Sequence, residues 1–104
     1  MEVKVHTIKF EANSDLLDFV QEKVDKLEVF SDNIIGSEVY LRMDNGTTPE
    51  DKIAEIKIAV PGADLFAKKQ CKSFEEAVDT AVDALRRQIK KHKQKRKLKN
   101  RSAL

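Results

Sequence analysis

The chain has 104 residues, room for one domain and one core, since a chain of that size buries roughly 65% of the surface its unfolded form exposes. Hydrophobic residues make up 40% and charged residues 37%, polar for a globule but not the composition of a disordered chain. No apolar run approaches the roughly 18 residues that span a bilayer, the opening Met1-Glu2-Val3-Lys4-Val5 lacks a signal-peptide stretch, and the single Cys71 can form neither an internal disulfide nor a cysteine zinc site. A soluble, reduced, cytoplasmic domain is expected.

Residues 2–12 read as a strand. Val3 and Val5 point one way, and Ile8, Phe10 and Ala12 alternate in the other phase. That slip near His6-Thr7 predicts a bulge or a twist. Asn13 or Ser14 caps a first helix, whose Leu16, Leu17, Val20, Val24 and Leu27 share one face. Asp15 and Asp18 near its start and Lys23 and Lys26 near its end complement the macrodipole. Phe30 and the turn formers Ser31-Asp32-Asn33 close it.

A second strand is predicted over 37–43, with Val39, Leu41 and Met43 inward and Glu38, Tyr40 and Arg42 outward. Asp44 to Pro49 reads as a turn or a mobile loop. A third strand spans 52–60, with Ala54, Ile56, Ile58 and Val60 on one face. Pro61-Gly62 is a tight turn into a fourth strand, Ala63 to Lys69. Ser73-Phe74-Glu75-Glu76 is a capping box. It opens a last helix whose stripe is Phe74, Val78, Ala81, Val82, Leu85 and Ile89. Past about residue 93 the stripe gives way to cations, so 98–104 is expected to be a basic, disordered tail beyond a domain of residues 1–97.

The order is βαβββα, an α+β class. A right-handed crossover makes the first two strands parallel, and hairpins add the other two. The expected fold is a four-stranded mixed sheet with both helices on one face. The open face carries Arg42, Lys57, Lys68, Glu38 and Glu55.

The net charge of +2 conceals a split. Residues 1–85 hold all 18 acidic residues and 10 basic ones, a net −8; residues 86–104 hold 10 basic residues and no acid, a net +10. Ten like charges in 19 residues repel one another, which is a cost in the absence of a polyanion. The block therefore points to a phosphate backbone as its partner. On an ideal helix Arg86, Lys90, Lys93 and Lys97 fall in a narrow arc beside the apolar stripe, with Arg87 and Lys91 on the far side. Arginine can grip phosphate bidentately and lysine acts as a point charge. A membrane surface is a weaker fit, because the block has no Trp or Phe to anchor in lipid.

Catalytic readings fail. His6 and His92 sit in no metal-ligand motif; His92 is either a plain helix-surface residue or an RNA contact. Cys71, two residues before the last helix, could have its pKa lowered there, but Glu75 and Glu76 lie close, so an incidental thiol is expected. Asp79 and Asp83 read as solvated carboxylates. With three glycines there is no phosphate-cradling loop. No catalytic residue, metal site, cofactor or small-molecule substrate is expected. Phe10, Phe30 and Phe74 read as core, leaving no aromatic platform and no GXXG loop. Recognition of structured RNA by shape and charge fits better than base stacking.

The run Ser73-Phe74-Glu75-Glu76-Ala77-Val78-Asp79, followed by Leu85-Arg86-Arg87-Gln88-Ile89-Lys90-Lys91-His92-Lys93-Gln94-Lys95, resembles the last helix of the ribosome hibernation promoting factors. That family is also called the ribosome-associated inhibitors or sigma-54 modulation proteins. Phe19-Val20, Lys23, Lys26-Leu27-Glu28, the Val3-x-Val5 strand and the Pro61-Gly62 hairpin before Leu65-x-Ala67 agree. The resemblance covers nearly all of residues 1–97. It implies a βαβββα fold similar to double-stranded-RNA-binding domains. It also implies a protein that binds the small ribosomal subunit between head and body, over the decoding region where messenger RNA and A- and P-site transfer RNAs sit, and that stops translation in stationary phase or stress.

Carried onto matching positions, Arg87, Lys91, His92, Lys93 and Lys95 would contact ribosomal RNA, with Lys23 and Lys26 as supporting cations. Arg86 and Lys90 join them on the charge argument alone. Because the sequence ends at Leu104, a short form is expected, in which pairing of ribosomes needs a separate dimerising factor. The alternative reading is a general nucleic-acid-binding or transcription-modulating module.

Overall fold

The computed structural model describes residues 1–31, 33–44, 46 and 48–102, with the side chains of the last helix described through Gln94. Asp32, Asn45 and Thr47, which the sequence puts in turns, lie outside the described residues, as do Ala103 and Leu104 of the basic tail. The elements are β1 (Val3–Ile8), α1 (Ser14–Asp25), a 3₁₀ segment (Lys26–Phe30), β2 (Gly36–Met43), β3 (Lys52–Val60), β4 (Ala63–Cys71) and α2 (Phe74–Ser102). The four strands form one sheet in chain order. β1 and β2 are parallel, as the intervening helix requires. β2–β3 and β3–β4 are antiparallel.

Local chemistry sets the boundaries. Asn13 caps α1: its Oδ1 accepts from the Leu16 amide at 2.8 Å, which satisfies an otherwise orphaned donor. Ser73 does the same for α2, its Oγ accepting from the Glu76 amide at 3.1 Å. Gly62 turns the β3–β4 hairpin with φ at 81°, the value needed at the second central position of a turn that follows proline.

The core lies between the sheet and the two helices. Val39, Leu41, Ala54, Ile56 and Ile58 from the sheet meet Leu16, Val20 and Val24 of α1 and Val78, Ala81, Leu85 and Ile89 of α2. Helix α2 crosses β3 and β4, while α1 packs on α2 and β1.

Several expectations need correction. The strand predicted over 2–12 stops at Ile8, and no bulge interrupts it: the pairing runs unbroken from Val3↔Ser37 to Ile8↔Arg42. The chain instead turns at Lys9, whose φ of 62° is left-handed and cannot continue a strand. Ile8 therefore keeps the outward phase of Lys4 and His6 and is exposed. Phe10 leaves the sheet and stacks on Phe74, centroids 4.8 Å apart and planes within 7°. Leu17 is exposed, being one position off the Leu16–Val20–Val24 stripe, and Met43 is exposed at the end of β2. Ile53 is buried although its phase puts it on the open face. Arg42 and Gln70 flank it in register on both sides, and such long side chains shelter apolar neighbours. Strand β4 runs two residues past Lys69.

Two substitutions test this packing by thermal denaturation. Leu85→Ala, at a fully buried site beneath α2, lowers stability by about 2–5 kcal/mol. Gly62→Ala places a Cβ in the left-handed region, although the space around it is open. It costs about 1 kcal/mol, a fall in Tm of roughly 5 °C for a domain this size.

Candidate nucleic-acid interface

Helix α2 has to satisfy two demands along one axis. Its first half buries Phe74, Ala77, Val78, Ala81, Leu85 and Ile89. Ile89 is its last buried residue among those described, and the helix runs on for about 20 Å at 1.5 Å per residue. Lys, Arg, Gln and Leu are good helix formers, which favours a helical backbone over that stretch.

With Leu85 and Ile89 facing the sheet, the helical repeat sets the directions of the described side chains that follow. Gln88 falls on one flank, where its Nε2 donates to the Phe66 carbonyl of β4 at 2.8 Å. Arg86 and Lys90 fall on the other flank, against the 3₁₀ segment. The Arg86 guanidinium lies 5.9 Å from the Phe30 ring centroid, and Lys90 Nζ lies 5.4 Å from it. Lys93 shares that arc by spacing and is exposed. Arg87 and Lys91 are exposed on the outer side.

His92 differs from its neighbours. It follows Leu85 by seven residues and Ile89 by three, so it continues the buried stripe. It is half-buried, and its Nε2 is shielded with no hydrogen-bond partner among the described residues. The Lys95 side chain lies outside the described residues.

The first helix brings two more of the sequence-predicted cations to the same place. Lys23 Nζ sits 3.2 Å from Asp79 of α2 and 5.5 Å from the Phe19 centroid. Lys23, Lys26 and Arg86 line one groove between α1, the 3₁₀ segment and α2, whose floor is Leu27, Phe30 and Val82. The structure thus gathers Lys23, Lys26, Arg86, Lys90 and Lys93 along one flank, and leaves Arg87 and Lys91 on a neighbouring side.

Sequence reasoning missed the residues that hold this flank. Asp83 takes Arg86 at 2.7 Å and Arg87 at 3.7 Å. Asp79 and Asp83 are therefore not merely solvated: each orients a cation. The i,i+3 and i,i+4 spacings of Asp83 to Arg86 and Arg87 were a readable signal. Phe30, read as core, is a half-buried ring beneath two cations. Its place after α1 gave no sign of what it would meet on α2.

The open sheet face is nearly balanced in charge. Glu55 pairs with Arg42 and, at 3.9 Å, with Lys68; Lys57 lies 3.6 Å from Asp64. His6 stacks on Tyr40 at 4.7 Å. Tyr40 donates to Glu38, which holds that carboxyl below the usual carboxylate range.

The Cys71 thiol is pushed up, first by burial and then by the charge of Glu76, so it stays protonated near neutral pH and is not an activated nucleophile. Among the described residues no cluster of His, Cys, Asp or Glu could hold a metal ion, and no helix is long and apolar enough to cross a membrane.

The sequence is 30% identical over 95 residues to a ribosome hibernation promoting factor of Pseudomonas putida, covering 91% of this chain and 89% of that protein. It is 31% identical over 97 residues to a ribosome hibernation promoting factor of Klebsiella oxytoca, covering 93% and 98%. The N-terminal domain of Thermus thermophilus Protein Y superposes with a TM-score of 0.77 at 25% identity, over 88% of this chain and 99% of that one. Residues 3–97 match the family described as "Sigma 54 modulation protein / S30EA ribosomal protein", and the chain belongs to that family.

Proposed function

We propose that the protein is a ribosome hibernation factor: a cytoplasmic, non-enzymatic binder of the small ribosomal subunit that occupies the decoding region and blocks the path of messenger RNA and of A- and P-site transfer RNA in stationary phase or stress. The observation that carries this reading is the rotation of α2. Arg86, Lys90 and Lys93 lie on one flank beside Lys23 and Lys26 of the first helix and its end, and Arg87 and Lys91 lie on the next. Such an array matches phosphates along a groove of structured RNA. The names of the relatives point to the ribosome as the RNA that presents it.

His92 is the least direct of the proposed contacts. Its half-buried position on the core-facing stripe suits a role in setting the angle of the helix end, with RNA contact made by its exposed neighbours.

Sedimentation through a sucrose gradient in low salt tests the reading: the protein travels with small subunits and inhibits translation in vitro. Recovery only at the top of the gradient would overturn it, and equal affinity for any RNA duplex would favour a general nucleic-acid-binding module. Lys91→Glu combined with Lys93→Glu abolishes both association and inhibition. Because both positions are exposed, the double variant melts within about 0.5 kcal/mol of the parent protein.

The salt dependence is a separate test. If about six phosphates are engaged, affinity falls roughly 10³-fold between 50 and 200 mM monovalent salt. A flat response would remove the electrostatic mechanism.

A further inference from the structure

We infer that the groove between the 3₁₀ segment and α2 is a pocket for one unstacked nucleobase, so that this face reads an extruded base as well as phosphates. The inference rests on the proposed RNA-binding role and refines it. The groove holds about 340 Å³, at the low end of the roughly 300–1,000 Å³ of small-ligand pockets. Its floor is apolar, formed by Leu27, Phe30 and Val82, with the exposed Val29 at its lip. Its rim is cationic, formed by Lys23, Lys26 and Arg86, and Lys90 stands over the same Phe30 ring.

The balance of charge selects the occupant. Two acids line the groove, Asp79 and Asp83, and each already holds a cation, Lys23 and Arg86 respectively. Lys26 and Lys90 have no acidic partner among the described residues. An occupant must therefore bring a flat apolar body for the floor and negative charge for the rim. A nucleotide has both: the base stacks on an aromatic ring or a guanidinium plane, and its phosphates meet the lysines. An apolar protein side chain would fill the floor and leave the rim unanswered.

Arg86 is suited to the central role. Its guanidinium lies over Phe30 and is aimed by Asp83, at the edge of the groove. The groove also lies at the head of the arc that continues through Lys90 and Lys93, so one strand of RNA could place a base in the groove and its neighbouring phosphates along the helix.

The test uses the full chain with two probes, a 12-base-pair RNA duplex and the same duplex carrying one bulged 2-aminopurine, beside purified small subunits. The bulged duplex binds about tenfold more tightly (roughly 1.4 kcal/mol), and the 2-aminopurine fluorescence is quenched on binding. Phe30→Leu keeps an apolar side chain in the floor but removes the ring. It erases the tenfold preference and the quenching, while the salt dependence of duplex binding stays as in the parent. Phe30→Tyr retains both signals.

Equal binding of the two duplexes without quenching overturns the inference, even if the protein still sediments with small subunits. The same holds if Phe30→Leu weakens small-subunit binding while the parent shows no preference for the bulge, since that result would make a protein side chain the occupant. Failure to sediment with small subunits, with the bulge preference intact, would instead count against the ribosomal reading alone.

Discussion

The burial of Leu85 and Ile89 beneath α2 fixes the rotation of that helix, and the rotation decides where its described cations go. At 3.6 residues per turn, two residues facing the sheet leave no freedom for the rest. Arg86 and Lys90 must stand over the 3₁₀ segment, Gln88 must meet β4, and Arg87 and Lys91 must face outward. No separate loop is needed to position the charged residues. The same anchorage offsets their repulsion, because a cationic helix end this long gains little from its own side chains and depends on the packed half to nucleate it. Core and candidate interface are thus two stretches of one element, and a substitution that rotates the first displaces the second.

The charge order along α2 fits its dipole. Glu75 and Glu76 lie in its first turn, and the cations follow from residue 86, so each sign meets the helix end that favours it. Asp79 and Asp83 sit at the changeover and hold Lys23, Arg86 and Arg87. These pairs are exposed, and exposed pairs contribute at most about 1 kcal/mol each. They aim the cations without tying them down. A phosphate arriving on this flank can replace a carboxylate at small cost, and the cation is already oriented when it does.

Much of the fold was legible because period and capping agree. Strand β3 reads correctly because Ala54, Ile56, Ile58 and Val60 alternate without interruption, and α2 begins where Ser73 and Glu76 signal it. The errors have specific causes. Nothing in the sequence around Lys9 marks a left-handed residue, because lysine is not a type that favours that region, so the apolar alternation predicts a strand as far as residue 12. Ile53 is buried by Arg42 and Gln70 from neighbouring strands, a shelter that depends on register. The basic residues of the candidate site were visible one by one, since charge runs need no tertiary structure to be seen. The groove was not, because Phe30 and Arg86 lie 56 positions apart and only the packing of α1 and its 3₁₀ extension on α2 brings them together.

The distribution of charge, and not its sum, governs how such a molecule meets a polyanion. A body of −8 and an arm of +10 nearly cancel at a distance, so the net field that a distant polyanion would sense is weak. Close in, the picture changes. At physiological ionic strength charges more than about 8 Å apart scarcely sense each other through water. A phosphate beside Lys91 or Lys93 therefore feels the helix, while one beside the acids of the body feels repulsion. Repulsion would disfavour poses in which the acidic start of α1, with Asp15 and Asp18, touches the backbone. Approach along the flank of α2 meets the cations first. For the proposed RNA partner, the acids of the body would thus lower affinity in general and raise the share of encounters that arrive along the cationic flank.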